Sequence, residues 1–542
     1  MKHPSLSLSQ DNRMNLNEDL VNEEKARLAL TKVFCSEMSP PKAVEDKDFK
    51  EIVQMLDPQL HVSFDFVRLW CLKFFKEERG KIKGTLRNLD GQISLSVDIL
   101  SSAKPGKSGS DYLCLTAYFI DDNWEMQKWI INFTCVGHQS QAALHEVILN
   151  SLKEWGIEKK ISTITMSNSS IYDETIEIVK DHIRGKKELP LNGRLFRVCC
   201  CSDIVSLMVQ DANKEISKIV DKIGSMYSFK EPEPSWYNKN NQIKEASLLH
   251  SRGTFSYGYR DSRTDKPSAK ELRKVRNINR YIDDIYSIVF PLFGMGYSTA
   301  SIYLHHLQEL RAYFIRWSRS NNVLTNVSKK LLQSFSKYMN NMYLVLAIAS
   351  VMDPRFKMKY IEFSSLKFKG DYSYSKVLKA MHKLYNDYVK IENDSNGTLS
   401  LLQEYKLFLR SSSSRQVKSE LDLYLEEPII GWSQDFNALN WWKAASSKYP
   451  TLSRIARDVL VIPISVATSD KAFYTQKREA DEGMISLGPD LMAAVMFFRS
   501  WFVKQKVLGD QNLHKNENDT KSVVTKLVIP KKEEAQFPWG QT

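Results

Sequence analysis

Two stretches of different rhythm predict the fold class: an α/β unit built on a mixed sheet, interrupted by a large all-α insertion and completed by a helical C-terminal block. The first observation is a period-two apolar alternation at Ile93, Leu95, Val97 and Ile99, followed by two further strand-like runs before any strong helical pattern. The second is residues 270–410, almost wholly helical in spacing. The third is a dense apolar block over residues 439–502 that carries three of the chain's tryptophans.

Each element has its own justification. Residues 14–60 read as short, mostly polar helices, and residues 62–78 (VSFDFVRLWCLKFFKEE) are apolar enough to pack. GQISLSVDIL is a half-buried strand. A Lys/Pro/Gly/Ser turn over 101–110 leads to a second strand, YLCLTAYFI at 112–120, and Asp121-Asp122-Asn123 turns tightly into a third, WEMQKWIINFTCV. Residues 141–157 have helical spacing at Leu144, Val147, Leu149 and Leu152; then come strand 161–166, helix 171–184, strand 195–201 and helix 203–223. Three meander strands followed by αβαβα is the ribonuclease H-like order, with a mixed central sheet between helices. Asp353-Pro354 breaks the helical insertion, and the run Ser411–Ser414 marks a linker. The expected organisation is an N-terminal helical and polar region at 1–84, the first part of the core at 85–225, an altered linker and helical insertion at 226–415, a C-terminal block with the last core helix at 416–505, and a flexible tail at 506–542.

Composition removes several classes. The 542 residues are 42% hydrophobic and 11% aromatic, enough for real cores and too apolar for a disordered chain. The longest apolar run, near Tyr343–Met352, is too short to cross a bilayer. The first residues hold neither a secretory apolar segment nor the acid-poor composition of a transit peptide. Seven cysteines, three of them adjacent at Cys199, Cys200 and Cys201, form no disulfide framework. A reduced interior and no membrane are expected.

The net charge of +12 favours a polyanionic partner. It is unevenly placed: residues 1–60 are net acidic, whereas residues 252–280 hold nine basic and three acidic side chains. Arg260, Arg263, Arg273, Lys274 and Arg276 are therefore the candidates for phosphate contact, beside the plainer reading of a solvated loop feeding a helix. SSAKPGKS at 101–108 ends like a phosphate-binding loop, but it has Ser101 where a Gly is needed and leads into a strand instead of a helix.

Asp98 is a charge in an otherwise apolar alternating strand, a position where acids are rare without a role. A ribonuclease H-like core places its first catalytic carboxylate there. Two-metal phosphoryl chemistry requires further carboxylates to clamp divalent ions about 4 Å apart. The second belongs at the end of the fourth strand, where Ile164-Thr165-Met166-Ser167-Asn168-Ser169 offers no acid.

The segments ISLSVDILSS, DYLCLTAYFIDDNWEMQKWIINF, LVLAIASVMDPRFKMKYIEF, SELDLYLEEP and LNWWKAASSKYPTLSRIARDVLVIPISVATSDKAF resemble hAT-superfamily transposases. Within that superfamily they are most similar to the plant domesticated DAYSLEEPER and RICESLEEPER group. The resemblance covers about residues 85–505, with 225–270 much altered. It implies a ribonuclease H-like fold with a helical insertion, a C-terminal dimerisation region, nuclear localisation and a transcriptional or developmental role.

It also implies a catalytic triad, and here the chain departs from the pattern. Asp98 keeps the first acid, but the Trp of Asp-Leu-Trp-Thr-Ser is lost at Leu100. Ser167 stands where Thr-Val-Asp-Asn has Asp. Asp470 stands where Ala-Ser-Glu-Ser-Ala-Phe has Glu, one methylene short. The Cys-x-x-His element matches Cys200 through Asp203, without the His. A neutral hydroxyl replaces neither the charge nor the reach of a bridging carboxylate, and misplacement of about 1 Å costs on the order of 10²-fold. An inactive triad is the expectation, with no cofactor, no bound metal and no small-molecule substrate. The family's zinc finger, of the BED type, is expected to be absent, because upstream of the core only His3, Cys35, His61 and Cys71 are available.

Leu439, Trp441, Trp442, Leu452, Ile455 and Val459, with Phe497, Phe498 and Trp501, are more apolar than a small helical unit hides. Part of this surface is expected to pair two copies or a related hAT-like protein, and the rest to complete the core. DNA is the expected further partner, bound weakly or through another protein. The alternatives are a metal-dependent nuclease or transposase with a rebuilt site, and a degenerate fragment without selected function.

Overall fold

The structure, a computed structural model, describes residues 45–56, 63–101, 111–136, 144–219, 222, 267–289, 300–319, 325–368, 373–395, 418–433, 436–466, 478–479 and 487–502. The chain enters through α1 (Lys47–Leu56) and α2 (Phe64–Asn88). The Ser63 hydroxyl caps α2 by accepting the Phe66 N–H at 3.2 Å. A three-stranded meander follows: β1 (Ile93–Ser101), β2 (Asp111–Ile120) and β3 (Met126–Cys135). The β2–β3 turn is tight because the Asp121 carboxylate accepts the backbone N–H groups of Asn123 and Glu125, each at 2.9 Å.

Next come α3 (Leu144–Trp155), β4 (Ile161–Met166), α4 (Asp173–Arg184), β5 (Arg197–Cys199) and α5 (Cys201–Lys214). The strand order is β3-β2-β1-β4-β5, with β1 antiparallel to β2 and parallel to β4, and β4 parallel to β5. This is the mixed ribonuclease H-like sheet expected from the sequence. β5 is shorter than the pattern over 195–201. Phe196 still belongs to the turn before it, its N–H donating to the Gly193 carbonyl at 3.1 Å, and Cys201 already opens α5.

The insertion consists of α6 (Ala269–Val289), α7 (Ala300–Ser318), α8 (Thr325–Val351), α9 (Lys357–Lys367) and α10 (Tyr374–Ser395). The C-terminal block supplies α11 (Glu420–Glu426), α12 (Ala438–Ala445), α13 (Pro450–Leu460), the short strand β6 (Arg478–Glu479) and α14 (Pro489–Phe502). None of the described helices is long and apolar enough to cross a membrane. The six described cysteines are all free thiols.

Two hydrophobic cores flank the sheet. On one side Ile93, Leu95 and Val97 pack with α2, α3, α4 and α14; burying such a side chain contributes about 1.5–3 kcal/mol. α14 comes from the far end of the sequence to close this side. Its Ser500 hydroxyl accepts the Ile130 N–H at 2.6 Å, and Phe497 and Trp501 lie on Phe75 of α2 at 4.9 and 5.9 Å between ring centroids. On the other side α5 to α8 share a core with α10 to α13.

The Asp-Pro-Arg-Phe-Lys turn after α8 ties the insertion to the C-terminal block. Arg355 grips the buried Asp353 carboxylate through Nε at 3.0 Å and Nη2 at 2.7 Å, and its Nη1 donates to the Ser433 carbonyl at 3.1 Å. Lys357 adopts a left-handed backbone, φ 46°, that aims its buried ammonium at the end of α11. There it donates to the carbonyls of Tyr424 at 2.7 Å and Glu427 at 3.1 Å, satisfying groups that a helix end leaves open.

Candidate functional site at the end of the sheet

Strand periodicity places Ser94, Ser96 and Asp98 on the face of β1 opposite Ile93, Leu95 and Val97. Ser96 pairs with Thr165 across the parallel β1–β4 ladder. Two residues further on stand Asp98, still within β1, where it pairs with Cys114 of β2, and Ser167, one residue past the end of β4. Both are half-buried. Beyond the end of β4, β6 takes over the same edge of β1, pairing Leu100 with Arg478 and Ser101 with Glu479. The segment after residue 470 thus returns to this end of the sheet. Asp470 itself lies outside the described residues.

Other groups converge here that the sequence reading did not single out as a set. Asp203, in the first turn of α5, accepts the Asn168 N–H at 2.9 Å, where the helix dipole also favours a carboxylate. Burial, then the charges of Asp111, Asp203 and Asp98, push the Tyr172 phenol above its ordinary range. Three carboxylates therefore act on one tyrosine. Their positions at 98, 111 and 203 carry no spacing that sequence alone would connect.

The donor set at the central pair is one carboxylate and one neutral hydroxyl. That does not fit the two-metal arrangement of the ribonuclease H-like class, which needs bridging acidic oxygens. Among the described residues, no group of three or more His, Cys, Asp or Glu side chains is disposed to hold a metal ion. Cys200 and Cys201 are fully buried, and burial raises both thiols, Cys201 well above the ordinary range. The Cys201 N–H donates to the Ile464 carbonyl at 2.8 Å, which stitches α5 to the segment after α13.

Of the proposed phosphate contacts, Arg260 and Arg263 lie outside the described residues. Arg273 and Arg276 are exposed on the outer face of α6, with Lys270 and Arg280 on the same stripe. Lys274 is half-buried and faces Glu215 at 3.6 Å, a carboxylate it shares with Lys330 at 3.0 Å. Of the apolar set in the C-terminal block, Leu439, Trp442, Leu452, Ile455, Val459, Phe497 and Phe498 are buried in the protomer's own core, while Trp441 and Trp501 are half-buried. Trp442 donates its indole N–H to the Met352 carbonyl at 2.7 Å. The large apolar side chains this block exposes are Leu423, Ile429 and Trp432.

The fold is ribonuclease H-like, with carboxylates gathered at one end of its mixed sheet. Family comparisons agree. Residues 420–502 match the hAT family C-terminal dimerisation region, residues 301–388 match the hAT-like transposase RNase-H fold, and residues 105–195 match the ZBED1 RNase-like domain. The chain is 28% identical to the zinc finger BED domain-containing protein RICESLEEPER 1 of Oryza sativa subsp. japonica, over 89% of this chain and 74% of that one. It is 26% identical to DAYSLEEPER of Arabidopsis thaliana with the same coverage. It is also 26% identical to a putative AC transposase of Zea mays, over 85% of this chain and 63% of that one. The chain is thus similar to hAT transposases in separate segments, which match the models of their dimerisation region and of their RNase-H fold.

Proposed function

We propose that this chain is a catalytically inactive, domesticated hAT-transposase-like protein of the nucleus. It pairs through its C-terminal region with a second copy or a related hAT-like protein, and it holds DNA weakly through the exposed arginines of α6 or through that partner. The observation that supports this reading is the serine at position 167, one residue past the end of β4, where the resemblance calls for a second acid. For pairing, the exposed Leu423, Ile429 and Trp432 are the available contacts, because most of the block's larger apolar side chains are already buried. A transcriptional or developmental role follows for a DNA-bound dimer without cleavage activity.

The test is a nicking assay on linear and hairpin DNA with Mg²⁺ or Mn²⁺. No cleavage above background is expected. Cleavage that Asp98→Ala abolishes would overturn the reading. It would favour a metal-dependent nuclease with a rebuilt site, for which the Asp203 carboxylate beside Asn168 is the supporting observation. Light scattering at micromolar concentration addresses the pairing separately; a strict monomer there rules it out.

A further inference from the structure

α10 buries one stripe, including Val377, Met381, Leu384 and Tyr388, and turns the opposite one to solvent. On the outer stripe Lys376, Lys379, Lys383 and Lys390 follow one another at intervals of three, four and seven residues, with Asn386 on the intervening turn. At about 1.5 Å per residue this row is about 21 Å long. All four lysines are exposed, and none has an ion-pair partner among the described residues. Asp387, three residues before Lys390, has its carboxylate engaged by the Leu191 N–H at 2.9 Å. The open face beside the row is formed by Lys379, Lys383 and Lys390 together with His382, Asn386, Asp387 and Val389.

The place of this row in the fold matters. α10 packs on the turn Pro190–Gly193, which feeds the start of β5, and its Tyr388 reaches Asp458, which also accepts the Gln92 N–H just before β1. Because β1, β4 and β5 run parallel, these contacts mark the end of the sheet opposite Asp98 and Ser167.

We propose that the α10 stripe forms a second nucleic-acid surface, which takes the phosphate backbone of duplex DNA away from the carboxylate end and apart from α6. Duplex DNA carries one charge per about 1.7 Å of axis, so a 21 Å row faces about twelve phosphates. Lysines act on these as point charges, which gives binding without base reading. The inference rests on the proposal that the chain binds DNA.

The experiment titrates the full chain with a duplex of about 30 base pairs between about 50 and 200 mM salt, following fluorescence anisotropy. Three proteins are compared: the unaltered chain, the variant K376Q/K379Q/K383Q/K390Q, and the α6 variant R273Q/R276Q. Exposed substitutions of this kind leave stability within about 0.5 kcal/mol, and a thermal melt verifies that each variant is folded. The α10 variant is expected to flatten the log–log salt slope by about 3–4 and to weaken binding on the order of 10³-fold at 100 mM salt. An α10 variant that keeps the unaltered slope, while the α6 variant loses about 2 from it, overturns the α10 surface and leaves the DNA-binding proposal standing. An unaltered chain that does not bind at about 50 mM salt overturns both.

Discussion

The two ends of the sheet treat their aspartates differently. At the end where β1 begins, Asp458 of α13 is buried, accepting the Gln92 N–H at 2.8 Å and the Tyr388 hydroxyl at 2.6 Å. Lys187 lies nearby, its ammonium donating to the Gln92 side chain. At the other end Asp98 is half-buried, and its neighbour across the antiparallel ladder is Cys114. One carboxylate is held by donors from two distant segments, Gln92 and Tyr388, and works as a joint. The other shares the surroundings of Tyr172 with Asp111 and Asp203. An acid deep in a fold therefore points to architecture when its lone pairs are filled by backbone and hydroxyl donors, and to chemistry when it stands beside other acids.

The comparison can be broken most directly at Asp458. Asp458→Ala leaves the Gln92 N–H and the Tyr388 hydroxyl without an acceptor, at about 1–3 kcal/mol for each buried group. A loss of about 2–5 kcal/mol is expected in urea unfolding at neutral pH; a loss under about 1 kcal/mol would show that the joint is not structural.

A smaller, pH-dependent effect comes from Lys187. Burial pushes its ammonium down to about 8 from the usual 10.5. Between those values the unfolded chain holds the proton that the folded chain has released, so this group's contribution to stability rises as pH climbs through the window. Lys187→Met should flatten that rise in the melting temperature between pH 8 and 10.5, and an unchanged profile would contradict the burial of the amine. Asp458 has the opposite sign. Burial raises its pKa, so its contribution declines as pH rises from 3.8 through the raised value.

The smallest effect is expected at the other end. Asp98→Ala should change unfolding stability by no more than about 0.5–1 kcal/mol, because the side chain is only half-buried. A loss of several kcal/mol would make Asp98 a second joint and erase the contrast between the ends.

Much of this architecture was legible in the sequence because it depends on local periodicity. The alternation of Ile93, Leu95 and Val97 against Ser94, Ser96 and Asp98 is a property of one strand, and the meander turn follows from the Asp121 side chain. The lysine row of α10 has helical spacing on a single face, with one turn skipped between Lys383 and Lys390, although its exposure is settled only by packing. The joint at Asp458 was not legible, since its donors lie far off in the sequence at Gln92 and Tyr388. Nor was the fate of Trp442. Its hydrophobicity says that it will be covered, but not whether by its own chain or by a second copy, and the Met352 carbonyl that receives its indole N–H belongs to its own chain. The ends of elements shifted where turns intervened, as at Leu195 and Phe196 before β5.

The seat of α14 on β3 has a consequence in time. Ile130 and Ser500 are 370 residues apart. At about 5–20 residues per second of synthesis, roughly 20–75 s pass between the emergence of one and the other from a ribosome. Throughout that interval the face of the sheet around Phe75 and Trp129 lacks its last helix. A chain of this design depends on attended waiting, and chaperone binding to the nascent α2–β3 segment is the natural means of supplying it.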